Sequence, residues 1–207
     1  MEIYLCYKEL EGTNLKKAWH LFCGYFDNVT ITLQDPLDLN VEAVVAPANS
    51  FGVMTGGIDL HYRNYLGKQI EYDLQRILAK KYNGELPVGL AQGVKIYSSN
   101  PSIKIKYVIF APTMRVPEVV SHTINSFLAA KAALIEAERL GLNSIAFPGL
   151  GTGTGNMGSN DCSKQVAEAI KYVLVDKRHF SSPKNLYVEQ EYTRRMAPAK
   201  WHELHIV

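Results

Sequence analysis

The sequence predicts an α/β layered domain with a mixed, largely parallel central sheet. Short apolar or β-branched runs alternate with amphipathic segments along most of the 207 residues, as in strands joined by helices. The run Ala43-Val-Val-Ala46 is continuously apolar, which is typical of a strand buried on both faces. Glycine-bearing loops follow two of the runs, and ligands of open α/β sheets bind beyond the carboxyl ends of strands. The sequence therefore predicts both a fold and the edge of the sheet where a site lies.

The first half of the chain predicts three strands and two helical regions. The strands are expected at 2–7, 29–33 and 43–46, with a turn at 34–38. The first helix is indicated by apolar residues at helical spacing before Gly24, namely Leu15, Ala18, Trp19 and Phe22. The second helical region begins near Ile58, pauses at Gly67 and ends at Asn83-Gly84.

The second half continues the alternation. Strands are predicted at 94–97, 107–110 and 144–147, with a long helix that ends before Gly141 and another that begins near Asp161. From about His179 the pattern decays, and residues 187–207 are expected to form a last strand and a tail. The length suits one domain with a substantial core, so residues 1–207 are interpreted as a single domain.

Composition excludes several classes of protein. With 22 basic and 20 acidic residues the net charge is +2, which provides no basic field for gripping a nucleic-acid backbone. The three cysteines lack disulfide-framework spacing and favour a reducing compartment. The start has no secretory pattern, and no apolar run approaches the length of a membrane span, so a cytoplasmic protein without membrane contact is expected.

One glycine-rich loop, Phe147-Pro-Gly-Leu-Gly-Thr-Gly-Thr-Gly-Asn-Met-Gly158, has the composition of a phosphate cradle. Its glycines allow successive backbone N–H groups to converge, and the helix after it adds a positive end. A P-loop is excluded because no lysine precedes Lys164, and the dinucleotide fingerprint at 153–158 lacks a following strand with an acidic residue. A flexible connector is the remaining alternative.

Two further loops join predicted strands to helices, at 47–57 and 111–117. Together with 148–158 they are expected to meet in a single cleft, because the strands before them end at one edge of the sheet.

Two of these loops carry a family resemblance. Ala43-Val-Val-Ala-Pro-Ala-Asn-Ser50, then Gly56-Gly-Ile-Asp59, then Ala146-Phe-Pro-Gly-Leu-Gly-Thr-Gly153 resemble the macro domain family of ADP-ribose-binding proteins, over about residues 28–176. The resemblance implies a three-layer α/β/α fold whose cleft binds ADP-ribose, and some members hydrolyse ADP-ribose from other molecules. The residues of these motifs are similar to those of a divergent bacterial or phage-type branch of the family. A C-terminal strand or tail, 177–207, falls outside the resemblance.

The resemblance implies a role for two polar residues. Asp35 matches the aspartate that accepts a hydrogen bond from the adenine amino group, although an Asp beside Pro36 also forms a turn. Pro36 lacks the backbone N–H that the family often directs at the adenine ring. Asn49 matches the asparagine that contacts the distal ribose, and the alternative is an Asn that braces its own loop. Ala46 replaces the first asparagine of the family's pair.

Asp59 matches the acidic residue that activates water in hydrolytic members, so Asp59 and Asn49 are the predicted catalytic residues. The alternative is an Asp that only complements a helix dipole. Those members often place a histidine four residues after the Asp, where this chain has Arg63, and His61 lies two residues after it.

The remaining ligand-binding residues that the resemblance implies belong to the two glycine-bearing loops: Ala48, Gly56, Gly57, Gly149, Leu150, Gly151, Thr152, Gly153, Thr154, Gly155 and Asn156. Many relatives carry an aromatic residue at the position of Gly155, and its absence is expected to open that end of the cleft to a bulkier attached group.

Three other signals are weaker. Cys162 is interpreted as a packed thiol, and Arg115 as either a phosphate contact or an exposed rim residue. His202-x-x-His205 is a poor metal motif, so neither a metal nor a cofactor is expected.

The predicted function is binding of ADP-ribose or a derivative with hydrolysis of an ADP-ribosyl bond. A binding module without turnover and an interaction or structural component are the alternatives. The oligomeric state stays open.

Overall fold

The computed structural model describes residues 1–8, 14–97, 103–177 and 186–198, which contain six strands. The strands are β1 (Glu2–Cys6), β2 (Val29–Thr32), β3 (Ala43–Ala46), β4 (Gln92–Lys95), β5 (Tyr107–Phe110) and β6 (Ser144–Phe147). They form one sheet in the order β2-β1-β6-β3-β5-β4. Every neighbouring pair is parallel except β4 with β5. The predicted mixed, largely parallel sheet is confirmed.

The helices of the described residues are α1 (Leu15–Cys23), α2 (Gly57–Leu66), α3 (Gln69–Tyr82), α4 (Asn125–Arg139), α5 (Ser159–Ile170) and α6 (Leu186–Met196). A 3-10 turn occupies Pro36–Asp38, and a π-helical turn at Lys171–Val175 extends α5. Among these helices, none combines the length and the apolar character that a membrane crossing requires.

The helices cover both faces of the sheet. Val45 of β3 joins a buried cluster with Trp19 of α1 and Leu134 of α4. Its neighbour Val44 joins a second cluster on the opposite face, with Leu74 of α3. Because successive side chains of a strand point to opposite faces, these two clusters are the two interfaces of an α/β/α sandwich. This is the three-layer arrangement that the family resemblance implies.

The C-terminal prediction is wrong over the residues that the structure describes. Residues 186–196 form α6 rather than a strand. Val188, Tyr192 and Met196 are spaced by four, and this stripe packs against the core beside Tyr172 of the π-helical turn. Tyr172 and Tyr192 meet edge to face, with ring centroids 5.3 Å apart. The predicted tail at 199–207 lies outside the described residues.

The topology brings four strand ends together. β1, β6, β3 and β5 are adjacent and parallel, and the pairs Leu5 with Phe147 and Ala46 with Phe110 are in register. Their carboxyl ends therefore lie side by side at one edge of the sheet. The chain that follows β3, β5 and β6 supplies the loops 47–57, 111–117 and 148–158.

Candidate functional site

A cavity of about 770 Å³ lies beyond these strand ends. It is lined by residues from all three loops, by the end of β1, and by the first residues of α2 and α5. Its volume falls in the range of small-molecule sites, about 300 to 1,000 Å³. Asn49 and Gly153, from different loops, line the same cavity, so the loops meet in one cleft as predicted.

Most of the predicted site residues line this cavity: Ala48, Asn49, Gly56, Gly57, Asp59, Gly149, Gly151, Thr152, Gly153, Thr154, Gly155 and Asn156. Leu150 and Asp35 are not among the lining residues. The Leu150 side chain is fully buried in the core, and its carbonyl accepts a 2.8 Å hydrogen bond from Ser126 Oγ. Leu150 therefore anchors the loop from below and does not face a ligand.

In the glycine-rich loop, backbone carbonyls accept hydrogen bonds from the protein itself, whereas a row of backbone N–H groups donates none to the described residues. The carbonyls of Gly151, Gly153 and Gly155 accept hydrogen bonds from Met157, Asn156 and Val120 at 2.8–2.9 Å. The N–H groups of residues 151–155 have no acceptor within the described parts of the chain. Gly151 adopts a φ of 69°, a conformation that favours glycine. Unpaired N–H groups in succession form an anion-binding concavity, and the N-terminus of α5 adds to it.

Gly155 does not open the cleft. A Cβ placed there would lie 2.5 Å from the Gly151 carbonyl oxygen and 2.7 Å from Val120 Cγ2. The position is buried against its own loop, so a side chain from this backbone would not enter the ligand space. The expectation of a bulkier attached group at this end loses its support. Gly153 differs, since a Cβ there would meet no atom within 4 Å.

The Asn49 carboxamide braces its own loop. Its Oδ1 accepts hydrogen bonds from the N–H groups of Phe51 and Val53, and its Nδ2 donates to the Val53 carbonyl at 2.7 Å. A primary amide has two N–H donors, so one of them is left for a ligand. The bracing interpretation is supported, and contact with a ribose stays a prediction.

The segment before α2 is tied to α3 by a buried glutamate. Glu71 Oε1 accepts a 2.8 Å hydrogen bond from the Met54 N–H, and Glu71 Oε2 lies 2.7 Å from Arg63 Nε. Arg63, at the position where hydrolytic relatives often have histidine, is therefore held by Glu71, and it does not line the cavity. Its ion pair joins α2 to α3, and the same Glu71 carboxylate holds the loop through the Met54 N–H.

Asp59 lies in the first turn of α2 and lines the cavity. Its Oδ1 is fully buried and has no hydrogen-bond partner in the described residues. Burial raises the pKa of the Asp59 carboxyl from 3.8 to about 7. A helix N-terminus favours the charged form, so desolvation outweighs the dipole here. A carboxyl that titrates near neutrality in a cleft has the property required of a general acid or base.

Asp35 is engaged on both oxygens. Its Oδ1 caps the 3-10 turn by accepting the Leu37 N–H at 3.0 Å, which is the predicted turn interpretation. Its Oδ2 lies 2.8 Å from His61 Nε2 and 4.0 Å from Lys8 Nζ. Lys8 and His61, unlike Asp35, line the cavity. The groups of this cluster that face the cavity are therefore the His61 imidazole and the Lys8 ammonium group.

The weaker signals are resolved as structural. Arg115 forms a two-pronged pair with Glu85, at 2.7 and 3.0 Å, and its guanidinium lies 5.1 Å from the centre of the Phe51 ring. It is a rim residue rather than a phosphate contact. Cys162 is fully buried, and burial raises the pKa of its thiol to about 12, as in a packed cysteine.

Within the described residues, no group of three or more His, Cys, Asp or Glu side chains is placed to hold a metal ion. His202 and His205 lie outside those residues.

Sequence reasoning missed the contribution of β1. Cys6, Tyr7 and Lys8 line the cavity because β1 pairs with β6, whose end carries the glycine-rich loop. Nothing in the spacing of the first residues indicates a site, since the placement depends on the order of strands in the sheet. His61 had a local signal, its position one helical turn from the Gly56-Gly57 pair.

Comparisons with known proteins agree with this geometry. The sequence model of the Macro domain matches residues 45–167. A protein of Aeropyrum pernix is 32% identical over 141 residues, covering 68% of this chain and 69% of that protein.

Two solved structures are similar in fold. The macrodomain of Mycobacterium tuberculosis DarG superposes with a TM-score of 0.60 at 22% identity, covering 70% of this chain and 90% of that one. A mutant macrodomain of Oceanobacillus iheyensis with ADPR gives a TM-score of 0.58 at 19% identity, covering 66% and 73%. Because the family model spans more than half of the sequence, this chain belongs to the Macro domain family.

Proposed function

We propose that this protein binds ADP-ribose or a close derivative in the cavity and hydrolyses an ADP-ribosyl bond there. The observation that carries the proposal is a row of backbone N–H groups at 151–155, unpaired within the described residues, that line the same cavity as Asp59, whose Oδ1 is buried and unpaired. Family membership and the ADPR in the Oceanobacillus iheyensis macrodomain support the choice of ligand.

In this proposal the diphosphate lies on the glycine-rich loop. Its charge is met by neutral N–H groups and by the N-termini of α2 and α5, both of which border the cavity. This mode of binding suits a chain whose net charge is only +2. The diphosphate would then separate a ribose near Asp59 from a base at the end lined by Tyr7, Pro36 and His61.

The reaction uses Asp59 as the base for water. The carboxylate takes a proton from a water molecule, the water oxygen forms a bond to the anomeric carbon, and the bond from that carbon to the attached O or N breaks. Asp59 then returns the proton to the departing group, so one water is consumed and free ADP-ribose is formed. The carboxylate also stabilises the oxocarbenium character that develops at the sugar. Asn49 supplies one N–H toward the ribose.

A binding module without turnover is the second candidate, and one observation favours it. Arg63 is held by Glu71, so α2 brings no basic group one turn after Asp59 into the cavity. Hydrolysis would then depend on Asp59 alone as both the acid and the base beside the distal ribose.

The test separates binding from turnover. Calorimetry measures affinity for ADP-ribose, and chromatography measures ADP-ribose released from a panel of ADP-ribosyl esters and N-glycosides. Binding with release by the wild type, and binding without release by Asp59→Asn, supports the hydrolase. Binding with no release from any adduct supports the binding module, and no heat at millimolar ADP-ribose overturns both.

The compartment belongs to the same proposal. Cys6, Cys23 and Cys162 are all buried and free, as in proteins of a reducing cytoplasm, and we assign the protein there. Measured reactivity of these thiols toward a disulfide reagent in native and unfolded protein tests their state.

A further inference from the structure

Two polar atoms on α2, the Tyr62 hydroxyl oxygen and Asp59 Oδ1, are buried without a hydrogen-bond partner in the part of the chain that the structure describes. The Tyr62 side chain is 0% exposed, and its ring packs in the apolar cluster that contains Val44 and Leu74. Buried polar atoms of native proteins are almost always paired, because an unpaired one has lost its hydrogen bonds to water. The Tyr62 hydroxyl therefore needs an acceptor.

The helix places these two atoms on the same side. Residues 59 and 62 are three apart in α2, so their side chains are neighbours on one face. A long side chain in a helix leans toward the preceding turn, which for Tyr62 is the turn that carries Asp59. No direct hydrogen bond joins the two atoms. One water molecule would bridge them, as buried waters do between polar groups that are otherwise unpaired.

The alternatives to Asp59 as the acceptor are weaker. Burial raises the pKa of Tyr62 well above its ordinary value, helped by Cys6, Asp35 and Asp59, so the phenol stays protonated and is a donor. The Cys6 thiol is a poor acceptor. Asp35 Oδ1 already accepts the Leu37 N–H, and neither oxygen of Asp35 is buried without a partner.

We propose that the Tyr62 hydroxyl donates a hydrogen bond to Asp59 Oδ1 through one internal water molecule and so positions this carboxylate for the proposed reaction. Tyr62 does not line the cavity, so it acts through Asp59 as a positioning residue. The catalytic consequence rests on the proposed function, whereas the hydrogen bond itself is measurable in the free protein.

The bridge has a consequence for ionisation. Burial raises the pKa of the Asp59 carboxyl, and a donor at Oδ1 opposes this because it favours the charged form. The other charged groups nearby, His61 and Lys8, face Asp35 at 2.8 and 4.0 Å. Tyr62→Phe keeps the packed ring and removes the donor, so the pKa of Asp59 should rise by about one unit.

The first experiment needs no ligand. Carbon-13 NMR of the Asp59 carboxyl between pH 4 and 10 measures its pKa in the wild type and in Tyr62→Phe, and Asp59→Asn identifies the signal. Tyr65→Phe is the matched control, because Tyr65 lies on the same helix, is 41% exposed and does not line the cavity. The control should leave the pKa of Asp59 unchanged.

Stability gives a second readout with opposite signs for the two cases. With the bridge, Tyr62→Phe should lower the melting temperature at pH 9 by about 2–4 °C. Without it, removal of an unpaired buried hydroxyl should raise the melting temperature. In the wild type itself, a long-lived water should give nuclear Overhauser effects to the Asp59 Hβ and Tyr62 Hε protons.

The pH profile of kcat/KM tests the positioning role. At the midpoint of the wild-type profile Tyr62→Phe should be about fivefold slower, because a rise of one pKa unit leaves about a tenth of its Asp59 ionised. The two profiles should converge near pH 9. Calorimetric affinity for ADP-ribose should not change, since Tyr62 does not line the cavity.

The outcomes are distinct. An unchanged pKa of Asp59 in Tyr62→Phe, an equal rise in Tyr65→Phe, a raised melting temperature or the lack of the water signals overturns the bridge and leaves the proposed function standing. A rate loss that is the same at every pH overturns the positioning role. If the wild type releases ADP-ribose from no adduct, the proposed hydrolysis is wrong, and the carboxyl titration still decides whether Tyr62 acts on Asp59.

Discussion

Glu71 accepts a hydrogen bond from the Met54 N–H at 2.8 Å and with its second oxygen holds Arg63 at 2.7 Å. One carboxylate on α3 thus fixes the segment that leads from Asn49 to α2. Glu71 is only 8% exposed, so neither contact is heavily screened by water.

Replacing this carboxylate should loosen the site. Glu71→Gln keeps one acceptor but leaves Arg63 without a counter-charge, and we expect a loss of about 1–3 kcal/mol in the free energy of unfolding, measured with urea. Hydrogen exchange at Met54 should accelerate. Asp73→Asn is the control, because the Asp73 pair with Arg76 lies at the surface and should be worth less than about 1 kcal/mol. Equal losses from the two variants would show that the Glu71 pair has no special role.

Asp59→Asn should slow turnover strongly and keep binding. Loss of a general base lowers the rate by about 10²–10⁴-fold, while the N–H groups at 151–155 still bind the diphosphate. Release of ADP-ribose and calorimetric affinity are the two measurements. Asp161→Asn is the matched control, because Asp161 also lies in the first turn of a helix but does not line the cavity. If both variants lower the rate alike, the helix-dipole interpretation of Asp59 is favoured.

The rate of the wild type should rise with pH through about 7. Asp59 must be ionised to accept a proton from water, and burial places the pKa of its carboxyl near that value. A profile of kcat/KM from pH 5 to 9 shows the midpoint. A flat profile, or one that falls as pH rises, contradicts the role of Asp59 as the base.

The same carboxyl should make the wild type less stable at high pH. Its folded pKa of about 7 exceeds the ordinary value of 3.8, so the folded state binds more protons between these values and stability falls as pH rises through this window. Asp59→Asn carries no charge. It should match the wild type near pH 4 and exceed it at pH 8 by on the order of 4 kcal/mol, since one pKa unit corresponds to about 1.4 kcal/mol. Denaturant unfolding at the two pH values measures the gap, and a gap that does not depend on pH contradicts the prediction.

Two glycines of the same loop should respond differently to a methyl group. Gly155→Ala places a Cβ 2.5 Å from the Gly151 carbonyl, and we expect a loss of about 1–3 kcal/mol in stability. Gly153→Ala meets no atom within 4 Å, so its melting temperature should stay close to that of the wild type. Because Gly153 lines the cavity, its variant reports on the ligand alone, and weaker ADP-ribose binding is expected. Normal binding by Gly153→Ala would remove this residue from the diphosphate site.

Local patterns were sufficient for most of the fold. The strands at 43–46, 107–110 and 144–147 have the predicted bounds, because continuous apolar runs between turn signals leave little choice. The C-terminal helix was missed because the stripe Val188, Tyr192 and Met196 is sparse and is surrounded by polar residues. Its partner Tyr172 lies outside this segment of the sequence. The packing that stabilises the helix therefore cannot be recognised from the residues of the segment itself.

The parts of the site that are formed by backbone groups could be predicted from the sequence. The side-chain pairs of the site could be predicted less well. The glycine-rich loop and the strand-end cleft follow from glycine spacing and sheet topology. The partners of Asp35 and Arg63 do not, because each is chosen by a residue on another element, His61 and Glu71. Leu150 was placed at the ligand with its neighbours, and only the packed core shows that it points away.

The docking of α6 sets a limit on where this chain can be shortened. The Macro domain match ends at residue 167, yet Tyr192 and Met196 are buried and the Met196 carbonyl lies 3.4 Å from Gln165 Nε2. That same Gln165 nitrogen binds the Thr123 carbonyl at 2.8 Å, next to the segment in which Val120 holds the Gly155 carbonyl. A chain that ended at residue 167 would lack α6 and the Met196 contact with Gln165. We expect this loss to loosen the segment from Val120 to Thr123, which supports the glycine-rich loop. Protein prepared for ligand screening should therefore extend past Met196.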